Sequence, residues 1–72
     1  MKATQWLLIG GPCHGKKTWI HSGSAVICSQ DRYEGENVHS GGRLYRIGRH
    51  SLADPTVDVH SLIRSTKLEP IA

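Results

Sequence analysis

The chain has 72 residues, and nine Lys and Arg against six Asp and Glu give a formal charge of +3. A domain of this size buries only about 60% of the surface its unfolded chain exposes, and 38% hydrophobic residues with no Phe supply one thin core. That excludes a second domain and weighs against the large enclosed cleft in which cofactor-dependent chemistry is usually done.

The chain opens with β-friendly residues from Ala3 to Ile9, which Gly10-Gly11-Pro12 ends at once. The four-residue apolar run Trp6-Leu7-Leu8-Ile9 reads as a buried strand. It is far shorter than a signal h-region, and no stretch approaches the roughly 20 apolar residues of a membrane helix. The expectation is a cytoplasmic protein with no membrane partner, its Cys13 and Cys28 free thiols in a reducing compartment.

Lys17-Thr18-Trp19-Ile20-His21 predicts a second strand, paired with the first through the Gly-rich connection. After a turn at Ser22-Gly23-Ser24, Ala25-Val26-Ile27-Cys28 is a third apolar run of strand length. From Ser29 to Gly42 the chain turns polar, with Tyr33 and Val38 as its apolar anchors, and reads as a long loop or hairpin arm. Arg43-Leu44-Tyr45-Arg46-Ile47 resumes strand character until Gly48. Thr56-Val57-Asp58-Val59-His60 alternates with a period of two and predicts a fifth strand, which Ser61 to Arg64 prolong or follow with one helical turn. The composition therefore predicts a mainly β fold: a single domain over 1–66, built as a bent sheet or partly open barrel of about five short strands, with a polar loop at 29–42 and a flexible tail at 67–72. His-Ser recurs at His21, His39, His50 and His60, but unequal spacing makes this composition bias and not a repeat.

Gly10-Gly11-Pro12-Cys13-His14-Gly15-Lys16-Lys17-Thr18 nearly spells a phosphate-binding P-loop. That motif needs Ser or Thr directly after its Lys and a helix beyond it. Here Lys17 holds that place, a strand follows, and Pro12 removes an amide. A hairpin turn fits better, with an anion nest at Lys16 and Lys17 as the surviving binding variant. Cys13, Cys28 and the five His offer metal-ligand types, but no C-x-x-C or H-x-x-x-H brings two together, so neither metal nor cofactor is expected. A Cys13–Cys28 disulfide is the alternative use of the two thiols. No G-x-S-x-G elbow exposes a nucleophile, and an enzyme is not expected.

The basic segment Arg43-Leu44-Tyr45-Arg46-Ile47-Gly48-Arg49-His50 is the best nucleic-acid candidate, since arginine neutralises phosphates and an exposed tyrosine stacks on bases. If instead Tyr45 and Ile47 share the core face, Arg43 and Arg49 are ordinary solvated charges, and the thin core favours this second reading.

Gly10-Gly11-Pro12-x-x-Gly15-Lys16, the central Tyr45-Arg46 and the closing Val59-His60-Ser61-Leu62 together resemble a group of small bacteriophage and prophage proteins in which a GGPxDG turn precedes a strand. His14 stands where that turn has Asp, and the polar stretch from Ser29 to Gly42 is longer than in the group. The resemblance covers most of the chain in outline. It implies a phage or prophage origin and a small β fold, and it transfers no catalytic residue.

The resulting expectation is a non-enzymatic accessory protein that binds a host protein through the polar loop with Tyr33 or through the basic face. A nucleic-acid- or nucleotide-binding mini-barrel is the alternative. The candidate binding residues are Lys16, Lys17, Tyr33, Arg43, Arg46 and Arg49. Unpaired sheet edges leave both a monomer and a homodimer open.

Overall fold

A computed structural model describes residues 3–21 and 23–71; Ser22 of the expected turn and Ala72 of the expected tail lie outside them. Five strands form one mixed, barrel-like sheet: β1 (Thr4–Ile9), β2 (Lys17–Ile20), β3 (Ala25–Cys28), β4 (Asp31–Ser40) and β5 (Arg43–His50), in the order β2-β1-β5-β4-β3. β1 lies parallel to β5, and the other neighbours are antiparallel. An α-helix, α1 (Val59–Thr66), follows β5, and a short 3-10 helix (Gly11–Cys13) lies in the β1–β2 turn. The small mainly β fold is as the sequence predicts, but two of its elements differ.

The first difference is the polar stretch, which is a hairpin arm and not the loop expected over 29–42. β4 alternates: Tyr33, Gly35 and Asn37 pair with His50, Gly48 and Arg46 on one face, while Glu34, Glu36 and Val38 pair with Arg49, Ile47 and Tyr45 on the other. Arg32, Glu34 and Glu36 are exposed, while Val38 farther along the same face reaches the helix-side core. Both flanking turns are two-residue hairpins with positive φ at each position, the conformation that matches strand twist. Gly41 and Gly42 form one, at φ 57° and 78°; Ser29 and Gln30 form the other, at φ 51° and 67°. The second carries no glycine and so gives no sequence signal.

The second difference lies beyond β5. Thr56 to His60 is not a strand, because Asp58 caps α1: its carboxylate accepts the Ser61 N–H at 3.1 Å and the Ser61 hydroxyl at 2.8 Å. The D-x-x-S spacing satisfies an orphan donor of the first turn, and Val59, Leu62 and Ile63 then turn one apolar stripe onto the sheet. Lys67 ends the helix in the left-handed conformation. The segment after it is anchored where a flexible tail was expected: Leu68 is buried, the Glu69 N–H donates to Gln5 Oε1 at 2.9 Å, and the Ile71 N–H donates to the Leu44 carbonyl at 2.7 Å.

The sheet has a core layer on each face. On one, Leu7, Ile9 and Ile47 pack under Ile63 and Leu68, flanked by Val38, Tyr45, Val57 and Leu62. On the other, Leu8, Tyr33 and Cys13 form a smaller cluster with Val26 and Cys28 beside it. β5 runs through Gly48 instead of ending there. A Cβ at Gly48 would stand 2.8 Å from Leu8 Cδ2, so the glycine lets two strands' side chains share one layer.

Candidate binding surfaces

The turn that nearly spells a P-loop is closed on itself. The Gly10 N–H donates to His14 Nδ1 at 2.8 Å, Cys13 N–H to the Tyr33 hydroxyl at 2.9 Å, Gly15 N–H to the Leu8 carbonyl at 2.7 Å and Lys16 N–H to the Cys13 carbonyl at 3.0 Å. A strand follows, and these amides are spent inside the protein, which removes the anion nest. The two cysteines are bridged, correcting the expectation of free thiols. Cys13 is buried, and the bond ties the β1–β2 turn to the end of edge strand β3.

The structure scatters the six candidate binding residues. Tyr33 is fully buried at 0% exposure, and its hydroxyl also donates to the Gly10 carbonyl at 2.8 Å. It braces the turn and cannot serve as a docking anchor. Lys16 Nζ lies 3.9 Å from Cys28 Sγ, whereas Lys17 Nζ reaches the Thr66 carbonyl at 2.5 Å and caps the C-terminus of α1.

The three arginines of β5 part company by strand alternation. Arg46 lies with its guanidinium 4.7 Å from the centre of the Trp6 ring and donates to Asn37 Oδ1 at 2.8 Å. Arg49 is on the opposite face, bonded to Glu36 at 2.9 Å. Arg43 starts the strand, exposed beside the Gly41–Gly42 turn. Tyr45 is half-buried against the helix-side core, as the core-face reading expects.

Three grooves stand out among the described residues. The largest, about 760 Å³, lies over the end of β5 and the β3–β4 hairpin and is lined by Asp31, Arg32, Glu34, Glu36, Arg49 and Leu52 among others. Its charges are paired: Arg32 to Glu34 at 2.6 Å, Arg49 to Glu36, and His50 Nε2 to Asp31 at 2.7 Å. The Glu34 hydrogen bond raises the Arg32 guanidinium still further and holds it charged. His50 resembles half of a catalytic pair. Its Nδ1, however, accepts the Leu52 N–H at 3.0 Å, so both ring nitrogens are occupied and neither is presented to a substrate. A second groove of about 270 Å³ surrounds Arg46, Trp6 and His21.

The third, about 310 Å³, lies between the β4–β5 turn and the end of α1, lined by Ser40, Arg43, Tyr45, Arg64, Lys67 and Leu68 among others. Arg64 and Lys67 are not among the sequence candidates, because the segment carrying them reads as a strand end or single helical turn followed by a tail. The Asp58-x-x-Ser61 cap was the signal that would have placed them.

Among the described residues no group of three or more His, Cys, Asp or Glu could hold a metal ion, and no helix is long and apolar enough to cross a membrane. No family model matches the chain, no curated protein matches it, and no solved structure does.

Proposed function

We propose that the protein is a non-enzymatic binding protein, of the phage or prophage accessory kind that its sequence resembles, and that it engages a protein of the bacterial host through the half of the sheet that α1 leaves bare. One observation carries this reading: two large apolar side chains, Ile27 at 64% and Leu52 at 84% exposure, stand beside the 760 Å³ groove. Ile27 sits directly across from Arg32, one of the groove's lining residues. Protein interfaces combine such apolar anchors with a rim of satisfied polar groups.

The rim's charge chooses between partner classes. Asp31, Glu34 and Glu36 face Arg32 and Arg49 here, so the surface offers no net positive field to a polyanion. The burial of Tyr33 moves the anchor role from the expected loop to Ile27 and Leu52. A cytoplasmic site of action belongs to the same proposal, and there the Cys13–Cys28 bond must withstand reducing thiols.

The test is a pull-down from bacterial lysate with the wild-type protein, an Ile27→Asp/Leu52→Asp variant and a Trp19→Asp control on the far edge of the sheet. A partner recovered by wild type and control and lost with the double variant supports the surface. Equal recovery by all three, or no partner at all, overturns it.

A further inference from the structure

We infer that the groove at the end of α1 is a phosphate-binding site, holding the phosphate groups of a nucleotide or of a single nucleic-acid strand between Arg43, Arg64 and Lys67. The site lies at the opposite end of β5 from the proposed host-protein surface, roughly 20 Å away at the rise of an extended strand. It is independent of that reading.

The first argument is the sign of the lining. All three ionisable cations of the groove are basic and no carboxylate lines it, whereas Arg32 and Arg49 in the larger groove are neutralised by Glu34 and Glu36. Among the described residues Arg43 and Lys67 make no ion pair, and Arg64 is steadied by Ser61 Oγ at 3.3 Å without being discharged. Asp58, the acid that feels Arg64, shares the Ser61 hydroxyl with it and makes no direct ion pair, so Arg43 and Lys67 are the groove's cations with no acid beside them.

The second argument concerns the helix. The C-terminal end of a helix carries partial negative charge and would ordinarily repel an anion. In α1 three of the four terminal carbonyls are already used: Ile63 by the Leu68 N–H at 3.2 Å, Arg64 by the Lys67 N–H at 3.3 Å, and Thr66 by the Lys17 ammonium at 2.5 Å. Lys17 thus places a positive charge at the helix end without lining the groove. Arg43, Arg64 and Lys67 act beside a helix end whose opposing field is partly offset.

The third argument is shape. About 310 Å³ is at the lower end of small-ligand sites. It accommodates a phosphate with its sugar or a single nucleotide. Gly41 at the rim has open space where a Cβ would stand, which lets a ligand backbone approach. Ser40 and Tyr45 add hydroxyl donors, and the Tyr45 ring adds an aromatic surface.

The experiment titrates the full chain with three probes at about 50 mM salt: pyrophosphate, a nucleoside diphosphate and a fluorescein-labelled deoxythymidine oligomer. Calorimetry reads the first two and anisotropy the third. Three phosphate contacts to a single strand predict a log–log salt slope of about −2. Arg43→Gln/Arg64→Gln/Lys67→Gln should weaken binding about tenfold or more and take the slope toward zero. Arg32→Gln/Arg49→Gln, with two charges removed elsewhere, should leave affinity within about twofold. Circular dichroism checks that each variant folds, and Arg43→Lys/Arg64→Lys, which keeps the charge, should bind. Oligomer binding alone assigns the site to a strand, and binding of the two small probes assigns it to a free nucleotide. No binding of any probe, retention of binding by the triple variant, or an equal loss in the Arg32/Arg49 control overturns the inference.

Discussion

The two sides of the sheet are stabilised by different means. The buried layer on the helix side is apolar: Leu7, Ile9 and Ile47 meet Ile63 and Leu68, five buried residues from four segments of chain, with hydrogen bonds from Lys17 and Glu69 at its margin. The opposite side buries Trp6, Leu8, Cys13 and Tyr33, and around them stand a covalent bond, one hydrogen bond accepted and one donated by the Tyr33 hydroxyl, and the His50–Asp31 contact. A chain this short runs out of apolar residues before it has covered both faces. Where side chains were too few, cross-links and buried polar contacts hold the second layer, as small scaffolds commonly require.

The sharpest way to break that contrast is to truncate one residue on each side. Ile47→Ala, in the layer held by packing, should cost about 2–5 kcal/mol in chemical denaturation. Leu8→Ala should cost a similar amount in oxidising buffer, but it alone should lose more stability than wild type does when dithiothreitol is added, because Leu8 and Cys13 share a cluster. Equal sensitivity of both variants to reductant would mean that the two layers are one.

Removing the bond itself comes next. Cys13 and Cys28 are 15 residues apart, and the chain-entropy estimate for such a loop is about 3 kcal/mol. Cys13→Ala/Cys28→Ala should lower the denaturation midpoint accordingly and abolish its dependence on reductant. Alkylating thiols inside living bacteria before lysis tells whether the bond exists in the cytoplasm: two blocked cysteines by mass would mean the protein works there without it.

Tyr33→Phe is the smaller cut on the same side. It leaves the ring beside His50, 5.2 Å between centroids, and strips partners from the Cys13 N–H and the Gly10 carbonyl. Leaving such buried groups unpaired costs about 1–3 kcal/mol, and the amides of Gly11 to Lys16 should exchange hydrogen faster than those of α1.

How legible each side was follows from the same chemistry. β1, β2 and β3 could be read because apolar and branched residues cluster there between glycine turns. β4 could not, since its buried positions are Tyr33 followed by Gly35, and an interior glycine that makes room for Arg46 and Trp6 looks like a loop residue. Gly48 misled in the same way from the facing strand. The alternation of Val57 and Val59 imitated a strand because the two valines flank a helix cap, one on each side of Asp58. For the candidate binding surfaces, the sequence pairs Lys17 with Lys16 and groups Arg43 with Arg46 and Arg49, whereas the structure separates the members of each group. Charge that is contiguous in sequence alternates between faces in a strand, and one of the three β5 arginines, Arg49, is paired with an acid of β4.

The smallest predicted effect concerns the element that the sequence misread. Hydrogen bonds from the Ser61 hydroxyl, then its backbone N–H, hold the Asp58 carboxyl below the usual carboxylate range, and the Thr56 N–H and hydroxyl do the same for Asp54. A carboxyl depressed in the folded state contributes stability that is fully present above its unfolded pKa of about 4 and is lost as pH falls through the folded value. Acidification from about pH 4 downward should therefore fray α1 at its start, seen as a fall in far-UV helical signal. Asp58→Asn keeps an N-cap acceptor but cannot titrate, so its helical signal should stay flat over that range. Asp54→Asn should still show the fall, because its bonds to Thr56 lie outside the helix. Because α1 carries Arg64 and ends at Lys67, the same acid range should loosen phosphate binding in the wild type and spare it in Asp58→Asn. A wild-type helix indifferent to acid would mean that packing on Leu7, Ile9 and Ile47 holds α1 without its cap.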